Sequence, residues 1–262
     1  MFTIVAGTGY TGRRVLEQLP ASDVAGVNRS PIETDRPMHI VDFDDPDVSV
    51  PDLPAVYAVL YTCPPDGEDD DRLQRFLACL SPAPERFVYI STTGVYGDCG
   101  GAVVTEESPL NPSSRMSRPR VAAEKHLGEW GARVGSEIVV LRVPGIYGPG
   151  RLGVDRLEKR GAYIRDDEAS PGNRIHVDDL VQCCIAALSD DTAAGVYNVG
   201  DGDHRSSTWF AGEVARQADL PQPRMISRAE AETEFSPMRL AFLAASRVVD
   251  TTRMREVLGV TP

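Results

Sequence analysis

Six residues near the start of the chain, Gly7-Thr8-Gly9-Tyr10-Thr11-Gly12, constrain the fold more than any others. They follow an apolar run, Phe2 to Ala6, and open a helical pattern over Thr11 to Leu19. Strand, glycine-rich turn and helix in that order form a phosphate-binding unit for a dinucleotide. Gly7 permits the tight turn, Gly9 lets the backbone approach a pyrophosphate, and Gly12 lets helix and strand pack closely. Free N–H groups and a partial positive charge at the helix N-terminus then face the phosphates.

The alternation continues downstream. Apolar runs at Val24 to Val27, Val56 to Tyr61, Phe87 to Ile90 and Ile138 to Leu141 read as buried parallel strands, and His39 to Val41 as a weaker one. Helical patterns over Asp70 to Leu80 and Arg118 to Trp130 fill the gaps. This predicts an α/β protein with a Rossmann-type doubly wound parallel sheet. After residue 145 glycine and proline are frequent and the period is irregular, with a helix near Val177 to Leu188 and a strand near Val196 to Val199. The segment 221–247 has no clear period. The expected division is a dinucleotide-binding core over 1–145 and a smaller substrate-side region over 146–262, interleaved in one compact unit.

Charge narrows the function. With 39 acidic against 27 basic residues, the net charge of −12 disfavours nucleic acid, whose phosphates need a positive field. The five cysteines include no C-x-x-C spacing and the four histidines no H-E-x-x-H pattern, so reduced thiols and no metal site are expected. No apolar run is long enough for a membrane span, and the first residues lack the features of a signal peptide. A cytoplasmic protein with a small-molecule substrate is the expectation.

The end of the second strand bears on cofactor choice. An NAD-selecting site carries a carboxylate there for the ribose 2′-hydroxyl. Here the residues are Asn28-Arg29-Ser30. Arg29 suits a charge-assisted pair with a 2′-phosphate, with Asn28 and Ser30 hydrogen-bonding nearby, so NADP(H) is expected over NAD(H). Arg13 and Arg14 either add to the positive field or are simply solvated. Asp42 is either an acceptor for the adenine amino group or a solvated loop acid. Thr62-Cys63-Pro64 ends a strand on the ligand edge and is expected to line the cofactor with its backbone. Cys63 reads as an inert thiol, because no histidine motif accompanies it.

Beyond the glycine-rich turn, further motifs fall in a recognisable order: ISTTGVYGD (90–98), ESPLNP (107–112), AAEKHL (122–127), LRVPGIYGPGR (141–151), RIHVDDL (174–180), YNVGDG (197–202) and SRVVDTTRMREVLGVTP (246–262). Together with GTGYTG they resemble the extended short-chain dehydrogenase/reductase family, which includes nucleotide-sugar epimerases and dehydratases, over nearly the whole chain. The resemblance implies a Ser or Thr that holds the substrate oxygen, a Tyr acting as acid or base, and a Lys four residues later. The cation is needed because a phenol titrates near 10 in water. The alcohol falls on Thr92, with Ser91 beside it. The Tyr and Lys positions hold Met116 and Arg120. Methionine carries no transferable proton, and arginine holds its proton too firmly to act as a base. The chain therefore resembles the atypical branch that lacks the pair. Thr93-Gly94 stands where 4,6-dehydratases carry Asp–Glu, and Gly145 where many nucleotide-sugar enzymes carry Asn. Ser91, Arg120 and Pro144-Gly145-Ile146 join the expected cofactor contacts.

Three residues in these motifs are candidate replacement acids: Tyr96, Tyr147 and His176. Each has a structural reading beside the catalytic one, as packed aromatics for the tyrosines and as a cap of the following helix for His176. Asp178 and Asp179 suit that helix's N-terminus. The first functional expectation is an NADP(H)-dependent oxidoreductase acting on a small carbonyl or hydroxyl compound, with Thr92 orienting the oxygen and Arg120 holding the ribose. The second is a non-catalytic NADP-binding redox sensor or partner-binding protein. The third is a nucleotide-sugar epimerase, opposed by Met116 and Gly145. The resemblance also implies a homodimer formed through helices on one sheet face.

Overall fold

The computed structural model describes residues 1–48, 50, 54–155, 157 and 161–262. Its centre is a sheet of seven strands, all parallel, in the order β11-β7-β5-β4-β1-β2-β3. These are β1 (Phe2–Ala6), β2 (Val24–Asn28), β3 (Met38–Ile40), β4 (Tyr57–Tyr61), β5 (Arg86–Thr92), β7 (Glu137–Val143) and β11 (Gly195–Asn198). The helices α1 (Tyr10–Gln18), α2 (Asp71–Cys79), α3 (Arg118–Val134) and α4 (Val177–Leu188) cover it. Strand order reverses beside β1, and the carboxyl ends of β1 and β4 open a crevice there.

Side-chain alternation along each strand builds two cores. Val5, Leu60, Val88 and Leu141 pack with Val15 and Leu16 of α1 and Leu180 and Cys184 of α4. Ala6, Tyr61, Phe87, Tyr89 and Val140 pack with Phe76 of α2 and Leu127 and Trp130 of α3. Each large side chain buried in this way contributes about 1.5–3 kcal/mol, which explains why the runs are apolar on both faces.

The second half of the chain is woven into the first, because β11 is an edge strand of the core sheet and α4 packs on its face. The rest forms three parallel strand pairs. One joins β6 (Val103–Val104) to β13 (Val248–Val249), another β8 (Gly145–Tyr147) to β10 (Arg174–His176), and the third β9 (Ala162–Ile164) to β12 (Arg224–Ile226). A helix α5 (Ser207–Gln217) precedes β12. The segment without a readable period holds β12 and two short helices, α6 (Arg228–Glu234) and α7 (Pro237–Ala244). Serines start both helices, and Ser227 forms a capping box with Glu230. Among the described residues no helix is long and apolar enough to cross a membrane.

Candidate functional site

The three glycines of the turn behave differently. Gly7 has φ +88°, and a Cβ there would lie 2.8 Å from Thr62 Oγ1 and 2.9 Å from Cys63 Sγ. A Cβ on Gly12 would lie 2.0 Å from the Gly7 carbonyl oxygen. Both glycines are therefore required by the fold itself. A Cβ on Gly9 would meet nothing within 4 Å. Gly9 leaves open the space in front of α1, as a site for an approaching phosphate requires. Thr62 fixes the turn by donating from Oγ1 to the Gly7 carbonyl at 2.5 Å, while Gly7 N–H donates to the Val27 carbonyl at 2.9 Å. Thr8 is buried, and its Oγ1 has no hydrogen-bond partner.

At the end of β2, Asn28 donates from Nδ2 to the Ser30 carbonyl at 2.8 Å and so shapes the turn. Arg29 extends over a cavity of about 90 Å³ lined by Val41, Asp42, Phe43, Asp44, Cys63 and Arg72. Its side chain is 66% exposed and bonds one carboxylate, Asp44, at 3.1 Å. Arg72 of α2 holds the same carboxylate with two bonds, of 2.7 and 2.9 Å, and donates to the Pro64 carbonyl at 2.8 Å. Asp42 accepts the Asp44 backbone N–H at 3.0 Å and lines the cavity. Burial raises the Cys63 thiol to about 11, so it is not a thiolate at neutral pH.

Across the crevice, Arg120 of α3 donates from Nη1 to the Ile90 carbonyl at 2.7 Å and the Tyr89 hydroxyl at 2.9 Å, and lies 3.5 Å from the Cys63 carbonyl. Its guanidinium thus spans the ends of β4 and β5. Tyr89 in turn reaches Asp70 Oδ2 at 3.5 Å. Asp70 is fully buried at the N-cap of α2, with φ 51°, and burial holds its carboxyl above the usual range. Thr92 ends β5 and accepts the Gly94 N–H at 3.1 Å. Met116 is 72% exposed and lies in the turn before α3, so it shares no helix face with Arg120. The helix begins at Arg118, where its pattern was expected to start, with Pro119 in its first turn.

The candidate acids separate. Tyr96 is corrected to a structural role: it is 1% exposed, donates to Asn198 Oδ1 at 2.6 Å and accepts from Arg142 at 2.8 Å. Burial raises its pKa, so it keeps its proton in the core. Ser91 is also buried, with its hydroxyl bonded to Glu124, so only its backbone remains for a ligand. Burial and the Asp201 carboxylate raise the Tyr147 pKa, and its ring meets those of His176 and Phe210 edge-on. His176 caps α4, accepting the Asp178 N–H on Nδ1 at 3.3 Å. That bond assigns the proton of the neutral ring to Nε2. Of Pro144, Gly145 and Ile146, the last two lie in β8, paired with β10.

Sequence reasoning missed Arg72, Tyr89 and Asp70, which share no short motif with the residues they hold. A buried ion pair between Arg142 of β7 and Glu124 of α3, at 2.8 Å, was missed too. An arginine inside the apolar run VVLRV was the available signal, since a charge there needs a partner.

Known proteins share this fold. Residues 73–200 match the NAD dependent epimerase/dehydratase family. A functionally unknown conserved protein from Silicibacter pomeroyi DSS superposes with a TM-score of 0.82 at 30% identity, covering 100% of this chain and 94% of that one. The UDP-glucose 4-epimerase of Mycolicibacterium smegmatis is 29% identical over 68% of this chain and 57% of its own length. Protein YeeZ of Escherichia coli K12 is 27% identical over 53% of this chain and 48% of its own length. The matches thus span about half the length of these two relatives. MoeE5 in complex with UDP-glucose and NAD has the same fold, with a TM-score of 0.74 at 23% identity over 100% of this chain and 93% of that one. The molecule has the Rossmann-type parallel α/β fold of these structures. The family match covers just under half of the chain, and the superposed structures share its fold.

Proposed function

We propose that this chain is an NADP(H)-dependent oxidoreductase acting on a small carbonyl or hydroxyl compound without a Tyr–Lys pair. The observation that carries the reading is Arg29. Its guanidinium is exposed at the end of β2, and the carboxylate it touches already has two bonds from Arg72. Arg29 is therefore available to a further anion, and no acidic residue at 28–30 competes for a ribose hydroxyl.

The residues present fit such a cofactor. Gly7, Thr8, Gly9, Tyr10, Thr11 and Gly12 would hold the pyrophosphate with backbone N–H groups. Asn28, Arg29, Ser30 and Asp42 would hold the adenosine half. Thr62, Cys63, Pro64, Ser91, Arg120, Pro144, Gly145 and Ile146 would line the nicotinamide half. When bound, the cofactor supplies hydride transfer. Thr92 orients the substrate oxygen, Arg120 contributes a fixed positive charge, and His176 is the remaining candidate donor.

Calorimetric titration with NADPH and, separately, NADH tests this reading. Tighter NADPH binding that is lost in Arg29→Ala supports it. Binding of neither cofactor sinks it, and equal affinity for both sinks the NADP preference. A second reading, cofactor binding without turnover, is favoured by Met116, which carries no transferable proton. It predicts tight NADPH binding with no consumption across a panel of small carbonyl compounds.

A further inference from the structure

Most arginines around the dinucleotide crevice have an acidic partner. Arg13 pairs with Glu17, Arg29 with Asp44, Arg36 with Asp35 and Arg75 with Asp66. Arg14 and Arg151, like Arg120, depart from this. Among the described residues neither forms an ion pair, although the chain carries 39 acids. Both instead stack on one ring: the guanidinium carbons lie 4.1 and 4.0 Å from the centroid of Tyr10. Tyr10 is the first residue of α1 and belongs to the glycine-rich turn. Its hydroxyl donates to the Pro149 carbonyl at 2.9 Å. A Cβ on Gly148 would lie 3.0 Å from that hydroxyl and 3.1 Å from His176 Nε2. The segment after β7 is therefore seated on the turn, and it brings Arg151 there.

Two like charges on one ring, beside the positive end of a helix, are mutually unfavourable until an anion joins them. The neighbouring Thr8 Oγ1 is buried without a partner, so the turn has unspent donor capacity as well. The geometry points to a clasp in which Arg14 and Arg151, held by Tyr10, bind the diphosphate bridge of the dinucleotide. This rests on the dinucleotide reading above. A diphosphate suits the site because it offers two negative groups, one for the α1 N-terminus and one for the guanidiniums. The clasp ties the segment carrying Pro144 to Ile146 to the glycine-rich turn when cofactor is present. It accounts for an arginine at 151 that the assigned contacts leave unused.

The test is calorimetry on the whole chain with two probes, NADPH and adenosine 2′-monophosphate; the second keeps the adenosine end but has no diphosphate. Arg151→Met, an exposed substitution, is expected to weaken NADPH about tenfold and leave the monophosphate unchanged. Arg151→Lys keeps the charge without the planar fork and should recover part of the loss. The clasp is overturned if Arg151→Met leaves NADPH affinity intact, or weakens both probes equally. Wild-type protein that binds no dinucleotide overturns the dinucleotide reading itself, and the clasp falls with it. A defect confined to Arg151→Met, or its absence, speaks to the clasp alone.

Discussion

Arg120 and Tyr89 are joined at 2.9 Å, and the same guanidinium nitrogen bonds the Ile90 carbonyl at 2.7 Å. This guanidinium is thus tied to the end of β5. A lysine in its place has one compact ammonium and does not reproduce the planar fork. Arg120→Ala removes the partner of a buried hydroxyl that also faces Asp70. Hydrogen bonds to charged groups are worth about 1.5–3 kcal/mol, so a loss of that order is expected in urea denaturation. Arg120→Lys should fall between wild type and Arg120→Ala. An unchanged midpoint for the alanine variant would show that the link carries no stability.

Asp70 makes a pH-dependent contribution with a definite sign. Burial, the largest influence, holds its folded-state pKa above the usual 3.8. Below 3.8 it is protonated in both states, and its favourable contribution is fully present. That contribution is lost as pH rises through the raised folded-state value, because the buried carboxylate must then ionise. Asn caps helices about as well as Asp. Asp70→Asn is therefore expected to melt higher than wild type at pH 7, with the gap closing toward acid. A gap that is constant with pH would place the effect elsewhere.

The glycines of the turn allow a sharp separation of folding from binding. Gly9→Ala meets open space, so its melting temperature should match wild type, within the roughly 0.5 kcal/mol of a neutral surface change. Its methyl group occupies the space a phosphate needs, so NADPH affinity should fall at least about tenfold. Gly12→Ala sets a carbon against the Gly7 carbonyl and should destabilise the fold before any ligand is added. Thermal melts with and without NADPH distinguish the two. Equal damage from both variants would contradict this division.

Much of this architecture was legible because it depends on local pattern. The runs at Val24 and Phe87 read as strands since both of their faces are buried, and the glycine turn reads from its neighbours in sequence. Asn28 and Arg29 were legible as the end of the second strand by position alone. What was hidden arises where distant segments meet. Asp44 lies between Arg29 and Arg72, forty-three positions apart in the chain, and no period announces that meeting. Tyr96 illustrates the opposite failure. Its motif suggested the ligand edge, yet its hydroxyl points into the core toward Asn198 and Arg142, a direction set by tertiary packing.

Met116 offers the most direct probe of latent chemistry. It is 72% exposed, so Met116→Tyr costs little in packing. If position 116 faces the reacting atoms, the new hydroxyl becomes the missing acid. Acid–base assistance is worth about 10²–10⁴ in rate, so Met116→Tyr should raise NADPH consumption with small carbonyl compounds by about a hundredfold. Met116→Phe supplies the ring without the proton and should leave the rate at the wild-type level. A tyrosine variant no faster than the phenylalanine variant would show that 116 faces away from the substrate. In that case binding without turnover becomes the better account of this chain.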